Sequence, residues 1–135
     1  MNESLIRSAE VPGRAARTAL LAVLAALLGG NLFDDLSDPW LTVIPFVLVV
    51  FATSALTAEL TAQAQRGQGD PANRWTRSDT AIAVTLAVIA SLLTISFAFA
   101  NTSVGEHTAA ACFAALYILF VVYFSCVRRK TLRIR

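Results

Sequence analysis

The residues best suited to binding a cation are three aspartates in a short turn between two apolar segments. Asp34, Asp35 and Asp38 fall within five consecutive positions, and no lysine or arginine lies between Arg17 and Arg66. Because hard cations prefer oxygen ligands, the turn is a candidate external cation site. Its spacing does not match the EF-hand pattern, which also requires a glycine. We therefore assign no metal ligands and keep the aspartates as candidates. The alternative is a solvated turn that only reinforces the topology.

A second candidate is Glu59, the single acidic side chain within the apolar segments. A carboxylate at the centre of a membrane is a functional hypothesis by default, but Glu59 lies one residue from the end of its segment. Thr53 and Thr57 precede it on the same segment, and their hydroxyls can line a polar path or bond back to carbonyls four residues earlier. We keep Glu59, Thr53 and Thr57 as transport candidates. The alternative for Glu59 is a headgroup contact or a local pair, since Gln63 and Arg66 follow it on the same helix face.

The sequence carries no motif for catalysis or for holding a cofactor. It has no nucleophile beside a base, no glycine-rich phosphate loop, and no HExxH or CxxC spacing. Cys112 and Cys126 lie 14 positions apart. That spacing on one helix corresponds to about 21 Å, whereas a disulfide needs Cα atoms within roughly 7 Å. We predict no enzyme, no catalytic residues, no cofactor and no disulfide.

The elements that carry these residues are apolar segments of membrane-spanning length. Hydrophobic residues make up 56% of the 135 residues and charged residues only 15%, against roughly 45–50% and about 25% in soluble domains. Segments of this length can cross a hydrocarbon layer of about 30 Å. The pattern predicts an all-α integral membrane protein with four antiparallel transmembrane helices in an up-down bundle, at about residues 15–33, 40–60, 80–100 and 108–127.

Polar segments flank this predicted transmembrane domain, residues 15–127. Residues 1–14 form a cytoplasmic N-terminal segment in which Pro12-Gly13 is expected to break any helix, and residues 128–135 form a basic cytoplasmic tail. Ser78 or Asp79 is expected to cap the third span.

The first span has an alternative interpretation as a signal peptide. Arg14 and Arg17 followed by Thr18–Leu28 resemble the basic and apolar regions of such a peptide. The apolar character continues through Phe33, and no small-residue cleavage site follows at the right place. We therefore predict that the first span is retained.

The distribution of charge predicts the orientation. Between the four spans, the turns 34–39 and 101–107 hold no lysine or arginine. All eleven basic residues fall on the opposite side: Arg7, Arg14, Arg17, Arg66, Arg74, Arg77, Arg128, Arg129, Lys130, Arg133 and Arg135. The positive-inside rule then places both termini in the cytoplasm of a multi-pass cell-membrane protein. We expect the basic tail to contact anionic inner-leaflet lipids, and we expect no nucleic-acid partner.

Small residues form stripes on two of the spans. The first-span stripe is Ala15, Ala19, Ala22, Ala26 and Gly29. The third-span stripe is Thr80, Ala83, Ala87, Ser91, Thr94 and Ala98. Such stripes let membrane helices approach closely, because lipid supplies no hydrophobic drive for association. We predict helix–helix contact for both; the alternative is a pore lining. An aromatic stripe on the fourth span is expected to pack or face lipid: Phe113, Tyr117, Phe120 and Phe124.

Two functions fit these observations. The first is a non-enzymatic membrane scaffold or accessory subunit that acts through helix contacts, as a homo-oligomer or within a larger membrane complex. The second is a small oligomeric transporter or channel for a cation or small solute, which would use Glu59, the threonines and the outer aspartates. The sequence favours the first because it offers packing faces but no centrally buried charge.

Overall fold

The computed structural model describes residues 3–31, 39–70, 73–99 and 104–133, and the regular elements in those ranges are all α-helices. The helices are α1 (Glu3–Asn31), α2 (Pro39–Ala64), α3 (Arg77–Phe99) and α4 (Val104–Arg133). The all-α prediction is confirmed, with one helix for each predicted span.

Three of the four helices are long and apolar enough to cross a membrane. The candidate spans are Val43–Ala64, Arg77–Phe99 and His107–Arg133, with mean hydropathies of 2.0, 2.4 and 2.3. These values support a membrane environment for α2, α3 and α4. Among the described residues, α1 provides no candidate span.

The helices extend beyond the predicted spans at the basic end of the molecule. α1 begins at Glu3 and continues through Pro12 and Gly13, so the predicted break there is wrong. A proline within a helix removes one backbone hydrogen bond without necessarily ending it, and α2 likewise contains Pro45. α4 continues to Arg133, so much of the predicted tail is helical. Its basic residues suit that position because they complement the negative end of the helix dipole.

The four helices form two hairpins packed side by side. α1 packs against α2 and α3 against α4, as the short connections predicted, while α1 also lies beside α3 and α2 beside α4. Contacts along the bundle give the directions. Thr61 meets Tyr123, and Arg66, just after α2, meets Arg128, so α2 and α4 run parallel. Phe97 meets His107, so α3 and α4 are antiparallel. Ala22 meets Tyr117 and Gly29 lies against Phe113, so α1 and α4 are antiparallel as well. α1 and α3 therefore begin at the end where α2 and α4 finish.

Apolar side chains fill the space between the helices. The fully buried core residues come from α1, α2, α3 and α4: Ala22, Ala25, Leu56, Leu60, Ala64, Ile82, Leu86, Tyr117 and Phe124. The rings of Tyr117 and Phe120 meet edge to face, with centroids 5.7 Å apart. This packing confirms the structural interpretation of the aromatic stripe on the fourth span.

The first-span stripe faces this core. Ala22 and Gly29 are buried, and the remaining members are half-buried. The Tyr117 hydroxyl donates a hydrogen bond to the Ala22 carbonyl oxygen. A Cβ atom added at Gly29 would overlap the Phe113 ring. Small residues thus let α4 approach the backbone of α1, which confirms helix contact for this stripe.

Candidate functional site

Of the predicted candidates, the structure describes the three that lie on α2. Asp34, Asp35 and Asp38 lie outside the described residues, so the external cation site stays a prediction. Thr53 and Thr57 lie in the middle of α2, and Glu59 lies closer to its basic end. No group of three or more histidine, cysteine or carboxylate side chains within the described ranges is arranged to hold a metal ion.

The threonines of α2 donate their hydrogen bonds to their own helix. The Thr53 hydroxyl lies 2.8 Å from the Val49 carbonyl oxygen, and the Thr57 hydroxyl lies 2.8 Å from the Thr53 carbonyl oxygen. Such bonds satisfy a hydroxyl inside a membrane without a partner from another helix. The back-bonding offered as one role for these residues is therefore present, and their role in transport stays a prediction.

Glu59 pairs with its neighbour one turn away. The Gln63 side-chain nitrogen donates to a Glu59 carboxylate oxygen at 3.0 Å, so the local pair offered as the alternative role is present. Gln63 itself is only 6% exposed. Its side-chain oxygen is buried and has no hydrogen-bond partner among the described residues.

A buried polar cluster, unrecognised in the sequence, joins α3 and α4 at the basic end of the bundle. Arg128 and Asp79 are both fully buried, and the Arg128 Nε atom donates to Asp79 Oδ2 at 3.2 Å. Arg66 approaches the other carboxylate oxygen at 3.5 Å. Burying a charge costs several kcal/mol unless a well-placed partner compensates it. The pair therefore holds two helices in one relative position.

Asp79 is also part of the cap that begins α3. The Asp79 carboxylate accepts from the Thr76 backbone N–H at 2.8 Å and from the Thr76 hydroxyl at 3.0 Å, while the Asp79 N–H donates to Thr76 Oγ1 at 3.4 Å. This reciprocal arrangement is a capping box with aspartate in the third helical position. The expected cap at Ser78 or Asp79 is therefore wrong in detail: Thr76 caps the helix, and Asp79 completes the box from inside it.

Arg128 fastens the α2–α3 loop as well. Its Nη1 atom donates to the Arg66 carbonyl oxygen at 2.6 Å, and its Nη2 atom donates to Asn73 Oδ1 at 3.0 Å and to the Arg74 carbonyl oxygen at 3.2 Å. Asn73 in turn donates to the Arg66 and Gly67 carbonyl oxygens. Gly67 has a φ of +67°, a conformation that favours glycine. One guanidinium thus joins the described residues on both sides of the α2–α3 connection.

We call the cluster of Asp79, Arg128 and Arg66 the clamp. It separates the one buried basic residue of α4 from the exposed ones. Arg128, predicted to belong to a lipid-contacting tail, instead neutralises Asp79 in the interior; that assignment was wrong. Arg129, Lys130 and Arg133 remain exposed on the same helix. The sequence did contain one signal of the clamp: Thr76 and Asp79 have the spacing of a capping box at the start of an apolar segment.

The third-span stripe lies on the outside of the bundle. Ala83 is half-buried, and the other five members are exposed: Thr80, Ala87, Ser91, Thr94 and Ala98. The hydroxyls of Ser91 and Thr94 donate to carbonyl oxygens of α3 itself, at 2.8 Å each. The stripe therefore exposes small side chains along α3, and the hydroxyls of Ser91 and Thr94 already have acceptors in their own helix.

No protein-family model, curated protein or solved structure matches the chain.

Proposed function

We propose that the protein is a non-enzymatic membrane scaffold or accessory subunit that works through helix–helix contacts, either with further copies of itself or within a larger membrane complex. The observation that carries this proposal is the exposure of the third-span stripe. A stripe of the same kind on α1 is used for close packing inside the bundle. The stripe on α3 is also made of small residues, but it faces outward. Its Ser91 and Thr94 hydroxyls donate to carbonyl oxygens of α3 itself, so they do not hinder close packing.

The proposal includes a four-span topology with both termini in the cytoplasm of the cell membrane. α1 supports a fourth crossing because it packs against α2, α3 and α4 and contributes the buried Ala22 and Ala25 to their core. The orientation is supported by the location of the basic residues, since the α2–α3 loop and the end of α4 meet at the clamp.

The size of the native assembly tests the scaffold role. We expect the tagged protein, gently solubilised from native membranes, to elute in an assembly larger than the single chain. Ala87→Leu adds bulk to the third-span stripe and is expected to release the monomer. Ala81→Leu makes the same change at an exposed position on another side of α3 and serves as the control. Elution of the unmodified protein as a monomer without partners would contradict the proposal.

A second candidate function is a small oligomeric transporter or channel for a cation or small solute. The observation in its favour is the Glu59–Gln63 pair, where a buried amide oxygen beside a carboxylate has no partner among the described residues. Two oxygen atoms of this kind can serve a hard cation. Reconstituted protein should then carry a cation flux that Glu59→Gln abolishes and that Glu3→Gln leaves intact. The absence of flux under any imposed gradient would remove this candidate.

A further inference from the structure

An open groove runs between α2 and α4 on the side of the bundle that faces outward. Its volume is about 380 Å³, within the range of roughly 300–1,000 Å³ found for small-molecule pockets. The lining residues come from the two helices alone, and the surface they expose to the groove is apolar: Thr57, Leu60, Leu119, Phe120, Val122 and Tyr123. Leu60 and Phe120 are buried and form its floor.

The groove lies within two candidate spans, so its surroundings are lipid. Its α2 residues lie within Val43–Ala64 and its α4 residues within His107–Arg133. Thr61 and Tyr123 are joined by a hydrogen bond of 3.1 Å that bridges the two helices beside the groove. Because the Thr61 hydroxyl also donates to the Thr57 carbonyl oxygen, the Tyr123 hydroxyl is the donor in this bridge. The polar atoms next to the groove are therefore occupied by one another, and the groove itself suits a hydrocarbon.

A positive charge stands beyond one end of the groove. Lys130 follows Tyr123 by seven residues, which is two helical turns, and so lies on the same face of α4 about 10 Å further toward the basic end. It is exposed. The ion pairs found among the described side chains involve Asp79, Arg66 and Arg128 but not Lys130. Its ammonium group is thus available to an anion at the membrane surface.

We propose that the α2–α4 groove binds one acyl chain of an anionic glycerophospholipid whose phosphate contacts Lys130. Charge complementarity favours this occupant. The apolar groove inside the membrane suits the acyl chain, and the Lys130 cation at the interface suits the negatively charged headgroup. The inference goes beyond the scaffold role and requires only that α2 and α4 cross the membrane.

Lipid retention by the purified full-length chain tests this proposal. Native mass spectrometry in detergent would follow titrations with phosphatidylglycerol and phosphatidylcholine that carry identical acyl chains. We expect one phosphatidylglycerol per chain to be retained in preference to phosphatidylcholine. Lys130→Gln should weaken phosphatidylglycerol binding about fivefold, the equivalent of about 1 kcal/mol for one basic residue near the surface. Arg129→Gln, on another face of α4, should not.

Filling the groove tests the acyl-chain site separately from the headgroup. Thr57→Phe, and independently Leu119→Phe, should remove the retained lipid, whereas Ile118→Phe on a different face of α4 should keep it. Two filling variants guard against loss of fold in one of them, and helical content checked by circular dichroism identifies such a loss. Retention of phosphatidylglycerol by both folded variants, equal retention of the two lipids, or loss of a dimer instead of a lipid on filling would overturn the proposal.

Discussion

α1 and α3 carry nearly the same pattern of small residues and use it in opposite ways. On α1 the pattern faces the core, where Tyr117 bonds to the Ala22 carbonyl oxygen and Phe113 lies against Gly29. On α3 it faces outward. The comparison teaches that spacing identifies a surface suited to close packing, whereas the fold determines whether the partner belongs to the same chain. On α3 the partner that we propose is a second protein chain.

The largest effect is expected from releasing α3 from α4. Arg128→Gln leaves the buried Asp79 carboxylate without its full charge partner and should lower the free energy of unfolding by about 3–5 kcal/mol. Thermal unfolding in detergent micelles measures this change. Arg129→Gln alters the exposed neighbour and should change stability by less than about 0.5 kcal/mol. Equal effects of the two substitutions would show that the clamp does not hold the helices together.

The next largest effect is a difference in stability between matched substitutions on the two stripes. Ala22→Leu adds bulk to a filled core and should destabilise the bundle by about 1–3 kcal/mol. Ala87→Leu makes the same change on the exposed stripe and should stay within about 0.5 kcal/mol of the unmodified protein. Unfolding of both variants in micelles, where the chain is separated from partners, makes the comparison. A loss of stability in Ala87→Leu as large as that in Ala22→Leu would place the third-span stripe inside the fold.

The smallest effect concerns a single hydrogen bond between helices. Thr61→Val removes the acceptor of the Tyr123 hydroxyl and should cost about 0.6 kcal/mol, the average for bonds between membrane helices. Thr57→Val removes a hydroxyl that bonds only within α2, and its effect should be smaller. Unfolding curves under identical conditions compare the two. A larger loss for Thr57→Val would indicate that this hydroxyl has a role beyond its own helix.

Much of the architecture was predictable because helices that cross a membrane appear in a sequence as long apolar segments. The hairpins followed from short turns, and the first-span stripe followed from its spacing. The extended α1 was missed because Pro12 and Gly13 disfavour a helix without forbidding it. The clamp was missed for another reason. Eleven basic residues share one predicted side, and nothing in their linear order distinguishes Arg128 from Arg129 until α3 brings Asp79 beside one of them.

The hydrogen-bond partners of the candidate site residues were equally hard to predict from the sequence. The threonines and Glu59 were recognisable as polar groups in apolar surroundings, but their partners depend on helix geometry. That geometry directs Thr53 and Thr57 to their own backbone and Glu59 to Gln63. Arg66 follows Gln63 at helical spacing, but its guanidinium donates to Thr76 and Asp79 at the start of α3. Only the three-dimensional arrangement decides between such partners.

Cross-linking in native membranes tests the central claim most directly. The background variant carries Cys112→Ser and Cys126→Ser, because both cysteines are free and exposed. Single cysteines are then introduced as Ala87→Cys on the third-span stripe, Ala81→Cys on another exposed side of α3 and Ala22→Cys in the core. A short reagent that carries a maleimide for the introduced cysteine and a diazirine that inserts into nearby C–H or N–H bonds on illumination should join the chain to a neighbouring protein through position 87 and not through positions 81 or 22. No adduct at position 87, or equal adducts at positions 87 and 81, would contradict the account.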